Sequence, residues 1–75
     1  MENKINFICL LKFHSNKKEQ DYFQISYVMN HKPVTEFISE ELFNKFSSMK
    51  LVELKEYTGV FALGSNRNLL ITDIK

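Results

Sequence analysis

The segment Val34–Phe46, with the sequence VTEFISEELFNKF, contains a change from strand to helix that decides the fold. Its first five residues are mostly β-branched or aromatic and predict a short third strand over 34–38. Ser39 predicts a helix start, because its hydroxyl can cap free backbone amides, and the two glutamates after it complement the helix dipole. The next apolar residues share one helical face: Leu42, Phe43, Phe46 and Met49. A helix of roughly two turns is unstable alone, so we expect this face to be packed.

Two further strands are predicted before this segment. The first has apolar residues at every second position, which we expect on one buried face: Ile5, Phe7, Cys9, Leu11 and Phe13. Ile8 and Leu10 predict that the middle of its other face is covered as well, between polar ends. After the polar loop His14–Asp21, the second strand places Phe23, Ile25, Tyr27 and Met29 on one face and Tyr22, Gln24, Ser26 and Val28 on the other. Asn30–Pro33 should end it, since Asn favours turns and Pro donates no backbone hydrogen bond.

After the helix, the sequence predicts two more strands. The first should run through 51–55 and continue over 56–63, with Gly59 at a bulge or bend. Gly64–Asn68 is a turn by composition, and Leu69–Ile74 is the last strand. The protein is therefore predicted to be mainly β with one short helix, in the order βββαββ. This order favours a five-stranded, partly open barrel of the OB type. An SH3-like or other small α+β barrel is the alternative.

The 75 residues can form one small domain, 1–75, and a content of 44% apolar and 25% charged residues argues against disorder. Ten basic against nine acidic residues give a net charge of +1, so no strong overall field attracts polyanions. The first 35 residues nevertheless hold five lysines against three acids. The apolar run Ile5–Leu11 is too short for a membrane helix, and no secretory signal is apparent. We expect a cytoplasmic protein.

A basic loop and one aromatic residue suggest a binding face. OB-type barrels bind oligonucleotides on strands two and three and on the loops that join strands one–two and four–five. Cations there can neutralise phosphates, and an aromatic face can stack on a base. The candidate nucleic-acid-binding residues are Lys12, Lys17, Lys18, Tyr22, Lys32 and Arg67. Each has a plainer interpretation: the lysine loop also carries acids and is then only solvated, and Tyr22 is an ordinary strand residue. Tyr27 and Tyr57 are expected to be packed.

Catalytic patterns are weak. Cys9 lies on the apolar side of its strand, which predicts an inert core thiol. His14 and His31 have no metal-ligand spacing, and no nucleophile, phosphate-loop or zinc-protease motif is present. We therefore expect no enzyme activity, no metal and no cofactor.

The layout resembles the small OB-fold single-stranded-DNA-binding proteins of filamentous phages and mobile elements. The resemblance is carried by the strand Tyr22–Met29, the turn Lys32-Pro33-Val34, the capped helix and the final strand Asn68–Ile74. It implies a homodimer that coats single-stranded DNA during replication or transfer. The alternative is a small protein-binding module, such as a phage- or plasmid-encoded inhibitor or adaptor. It would bind a host protein through an edge strand or an apolar patch near Phe43 and Phe46.

Overall fold

The computed structural model describes the backbone of residues 1–75 and all side chains except that of Asn66. Five antiparallel strands form one sheet in the order β3-β2-β1-β4-β5, and one short helix packs on it. The elements are β1 Glu2–Ser15, β2 Gln20–Met29, β3 Lys32–Ile38, α1 Glu40–Ser48, β4 Glu56–Leu63 and β5 Leu69–Ile74. A single turn of 3₁₀ helix, Ser65–Arg67, joins the last two strands. The predicted mainly-β class and the order βββαββ are confirmed.

The long strand β1 pairs with a different neighbour along each half. Its first half, from Glu2 to Asn6, lies against β4, and the part from Asn6 to Ser15 lies against β2. The pairing with β2 shifts register between Phe7 and Cys9, which places a β-bulge at Ile8. A bulge bends its strand and increases the local twist. The sheet therefore curves around one face, which holds the core.

The expectation that one face of β1 is apolar and buried from end to end is wrong. Ile5 and Phe7 are buried, but the extra residue in the bulge reverses the alternation beyond it. Leu10 then packs against the core, whereas three residues predicted to be buried are exposed: Cys9, Leu11 and Phe13. Phe13 consequently lies on the outer face of the sheet, away from the helix.

The core lies between the inner face of the curved sheet and α1. Its buried side chains are Ile5, Phe7, Ile25, Tyr27, Phe46, Phe61, Ile71 and Ile74. The predicted helix is confirmed, including its cap, since the backbone amide of Leu42 donates to the Ser39 hydroxyl at 3.1 Å. Phe46 is fully buried, and the ring of Phe43 lies 5.0 Å from that of Phe23. The apolar patch expected near Phe43 and Phe46 is thus largely inside the protein.

Two connections differ in how well the sequence predicts them. The β2–β3 turn falls where expected: Asn30 and His31 both have positive φ, at 54° and 63°, as a tight two-residue hairpin turn requires. The strand predicted over 51–55 is wrong, because this segment is a turn with Leu54 at φ 67°. The backbone of Phe7 binds this turn on both sides, donating to the Lys55 carbonyl at 3.2 Å and accepting from the Leu54 amide at 2.6 Å.

The outer edges of the sheet, β3 and β5, are linked by one side chain. The carboxylate of Glu36, on β3, accepts a hydrogen bond from the backbone amide of Ile71, on β5, at 2.9 Å. Its second oxygen accepts from the Tyr27 hydroxyl at 2.8 Å. Burial, and then the contact with Glu36, raises the pKa of Tyr27 far above its ordinary value.

Of the helices that the structure describes, none has the length and apolar character needed to span a membrane.

Candidate functional site

Three aromatic rings meet on the outer face of β1, β2 and β3. Phe13 is paired with Tyr22 across β1 and β2, and Phe37 projects from the same face of β3. The rings of Phe13 and Tyr22 are stacked, with centroids 5.5 Å apart and planes 23° apart. The ring of Phe37 lies 5.8 Å from Tyr22 and 6.4 Å from Phe13. We call these three residues the aromatic patch.

The aromatic patch is open to solvent. Phe37 is 61% exposed and Phe13 is 38% exposed, while Tyr22 is half-buried between neighbouring rings. Leu11, one step along the same face of β1, is 51% exposed and extends the apolar surface. Large apolar side chains clustered on a surface with polar surroundings are typical of a binding site.

A basic turn borders the aromatic patch. The three rings, together with Ser15 and Lys18, line an open depression of about 420 Å³. Lys18 lies in the β1–β2 turn, where its backbone amide donates to the Ser15 hydroxyl at 3.4 Å. Lys17 is the preceding residue of this turn. Neither lysine forms an ion pair with a side chain that the structure describes. Of the predicted site residues, the fold therefore brings Lys17, Lys18 and Tyr22 to one place.

Lys12 lies on the other face of the sheet. It is paired with Phe23, and its ammonium lies 5.7 Å from the centroid of that ring. The ammonium is also 4.0 Å from the carboxylate of Asp21, which contacts Nδ1 of His14 at 2.8 Å. The charge of Asp21 is therefore directed to the inner face. Lys12 does not adjoin the aromatic patch, although its position in the sequence is close to it.

Lys32 and Arg67 lie at the far end of the sheet. Lys32 begins β3 directly after the β2–β3 turn, which is at the opposite end of β2 from Lys17 and Lys18. Arg67 belongs to the β4–β5 connection, and β4 runs past the amino-terminal end of β1 before reaching it. The fold does not bring these two cations to the basic turn.

Two of the three rings were missing from the predicted site. Phe37 could have been recognised, because Val34 and Ile38 share the opposite alternation of β3 and would take the buried positions. Phe13 gave no such signal, since it continues the apolar alternation that starts at Ile5 and the bulge is not visible in the pattern.

Other chemistry is sparse in the part of the chain that the structure describes. Cys9 is exposed on the outer face opposite Ser26, so the prediction of a core thiol is wrong. No group of three or more His, Cys, Asp or Glu side chains that could hold a metal is found among the described residues. No protein-family model matches this sequence, and no curated protein matches it either. The candidate site is therefore characterised by its geometry: three exposed rings beside a basic turn.

Proposed function

We propose that the protein binds single-stranded nucleic acid, principally DNA, and that it catalyses no reaction on it. The observation that supports this proposal is the aromatic patch with Lys18 at its border. Single-strand binding proteins combine aromatic faces, on which bases stack, with cations that follow the backbone. Bases would stack on Phe37 and Tyr22, and phosphates would contact Lys17 and Lys18.

The fold supports the proposal if it is interpreted as an OB-like, partly open barrel. β1 is shared between β2 and β4, and the carboxylate of Glu36 links the edge strands β3 and β5. In OB-folds the face of strands two and three, with the loop between strands one and two, binds oligonucleotides. Tyr22, Phe37 and the basic turn occupy those elements here.

The local charge supports a small number of phosphate contacts. The β1–β2 turn carries Lys17 and Lys18 against one acid, Glu19, and the neighbouring Asp21 is paired on the inner face. Each phosphate that a cation neutralises on a single strand contributes about −0.7 to the slope of log K against log salt. Two contacts give a slope of about −1.4.

Removal of one ring tests the proposal. We expect labelled oligo-dT to bind the unmodified protein at low salt, with Phe37→Ala weakening binding by about five- to a hundredfold, the range for one stacked base. Fluorescence anisotropy measures the affinities. Leu63→Ala is the matched control, since Leu63 is an apolar side chain that is also mostly exposed, at 70%, at the end of β4 that leads to the far end of the sheet. Equal affinity of both variants, or no binding by the unmodified protein at tens of micromolar, would contradict the proposal.

Leu11 favours a second candidate, a protein-binding module that uses the same surface. An aliphatic side chain 51% exposed beside Phe13 suits an apolar partner surface better than a base. A host protein that copurifies after nuclease treatment, and no longer does so with Phe37→Ala, would support this candidate. An absence of oligonucleotide binding would have to accompany that result.

Oligomeric state and location follow the resemblance to phage and mobile-element proteins. We propose that the protein acts in the cytoplasm as a homodimer. The edge strands β3 and β5 support self-association, because an unpaired strand edge can pair with another chain. Light scattering after size-exclusion chromatography would give the mass, and a monomer at all concentrations would contradict the dimer.

A further inference from the structure

Gln24 lies on the outer face of β2, directly beside the aromatic patch. It is paired with Leu11 on one side and Phe37 on the other, and Tyr22 precedes it on the same face. The side chain is half-buried among these neighbours. A long polar side chain thus stands within an otherwise apolar part of the surface.

The side-chain amide of Gln24 forms no hydrogen bond with the groups that the structure describes, unlike the polar side chains next to it. Ser26 and Thr35, the next pair along the same face, bond to each other through their hydroxyls at 2.9 Å. The Gln24 amide has no hydrogen-bond partner among the groups that the structure describes. A carboxamide offers both donors and an acceptor. These groups are available to a ligand that covers the aromatic patch.

We infer that Gln24 gives the nucleic-acid interface a preference for adenine. The inference rests on the proposed function, since it needs a base stacked on Phe37 or Tyr22. A stacked base places its edge at the level of the neighbouring side chains, and single-stranded bases are recognised through their Watson–Crick and Hoogsteen edges.

Adenine suits a carboxamide better than cytosine does. Its N6 amino group is a donor that lies between two acceptors, N1 and N7, so a donor–acceptor pair is present on both edges. Glutamine can bond to such a pair with two hydrogen bonds, as it does with adenine in duplex DNA. Cytosine offers this pair on its Watson–Crick edge alone, because its opposite edge presents the N4 amino donor beside C–H groups and no acceptor. Gln24 would therefore bond to adenine whichever edge faces it.

The test compares two labelled oligonucleotides of equal length, oligo-dA and oligo-dC, by fluorescence anisotropy. We expect the unmodified protein to bind oligo-dA at least about fivefold more tightly, the lower end of the discrimination by a two-bond amide–base pair. Gln24→Leu should reduce this ratio toward the value that stacking alone gives. Ser26→Ala is the matched control, because Ser26 lies on the same face two residues further along and bonds to Thr35. This control should keep the ratio.

The outcomes separate the inference from the function on which it rests. Binding of both oligonucleotides with equal affinity, or a ratio that Gln24→Leu leaves unchanged, would overturn the role of Gln24 and leave the proposed function standing. No binding of either oligonucleotide would overturn both. The ratio in the unmodified protein does not depend on whether any variant folds, and circular dichroism would check the fold of Gln24→Leu.

Discussion

At the scale of single residues, Gly59 shows how closely the core is packed where β4 faces the bulge in β5. A Cβ atom at this position would lie 2.8 Å from the ring of Phe61, which is 3% exposed. Because the ring is enclosed by the core, it cannot move aside cheaply. We expect Gly59→Ala to lower the free energy of unfolding by about 1–3 kcal/mol, the usual cost of overpacking. Urea denaturation measures this change.

Gly64 provides the matched control for this substitution. A Cβ there would also be close to another atom, 2.6 Å from Cδ1 of Leu70. That atom is the end of a flexible side chain that is 44% exposed, so it can rotate into solvent. Gly64→Ala should therefore cost clearly less than Gly59→Ala. Equal losses for the two variants would show that the ring of Phe61 does adapt.

The pKa of Tyr27 predicts how stability depends on alkaline pH. Burial first, and then the contact with Glu36, raises the pKa above its ordinary value of 10.0. The folded state thus favours the neutral phenol, and this contribution to stability is complete below about pH 10. It is lost as the pH rises further, because the unfolded chain gives up the proton more readily. Thermal unfolding between pH 8 and 11 should show this loss.

Two single-residue variants assign that loss to the buried phenol. Tyr27→Phe removes the ionisable group, so its stability should fall less steeply above pH 10 than that of the unmodified protein. Tyr22→Phe keeps Tyr27 and should retain the full slope. The comparison uses slopes because Tyr27→Phe also loses the hydrogen bond to Glu36 and starts from a lower stability. Identical slopes for all three proteins would contradict the assignment.

Single residues also explain why the sequence predicts the core better than the candidate site. Tyr27 and Phe46 were expected in the core and are buried there. The strand and the helix that carry them keep their regular apolar periodicity from end to end. Phe13 was expected inside and is outside, because one extra residue at Ile8 reverses every later position of β1. After Asn6 the run Phe7–Leu11 is entirely apolar, so no polar residue marks this reversal, and Phe13 was not predicted to belong to the patch.

At the scale of elements, the helix and the 51–55 segment show the difference between local and tertiary control. Ser39 and the acidic first turn are local signals, and the helix begins where they predict. The segment 51–55 is rich in apolar residues, yet its conformation is set by contacts distant in sequence. Its turn bonds to the backbone of Phe7, and the amide of Val52 donates to the Tyr57 hydroxyl at 2.8 Å. Contacts of this kind produce no periodic pattern in the sequence, so the turn could not be predicted from it.

Substitutions in the β1–β2 turn test how much the lysines contribute to the proposed interface. Lys17→Glu combined with Lys18→Glu should abolish oligonucleotide binding at moderate salt, because two phosphate contacts become two repulsions. Lys32→Glu combined with Arg67→Glu is the matched control, since it changes the net charge by the same amount at the far end of the sheet. Anisotropy across a salt series measures both.

The control discriminates a local contact from a general field. If attraction depended only on net charge, the two double variants would weaken binding equally. The geometry instead predicts a clear difference, with the far-end variant close to the unmodified protein at physiological salt, where the Debye length is about 8 Å. Stronger loss in the far-end variant would place the interface on the other side of the molecule.

At the scale of the whole molecule, the curvature of the sheet depends on a few irregular points. The bulges in β1 and in β5 bend the sheet, and the carboxylate of Glu36 spans the gap between its edges. The same bulge in β1 both curves the sheet around the core and moves Phe13 to the outer face. Core and candidate site are therefore two consequences of one backbone feature.

The link through Glu36 gives the prediction for the whole fold. Glu36→Ala leaves the Ile71 amide and the buried Tyr27 hydroxyl without their acceptor, so we expect a loss of about 2–4 kcal/mol in the free energy of unfolding. Thr35→Ala, on the outer face of the same strand, should cost about 1 kcal/mol at most, since its hydroxyl is exposed. Urea denaturation measures both.

In native-state hydrogen exchange, Glu36→Ala should also speed exchange of the Ile71 amide more than that of the Thr58 amide, which donates to the Lys75 carbonyl instead. Unchanged stability and unchanged protection at Ile71 would mean that the edges β3 and β5 are held together by the core alone.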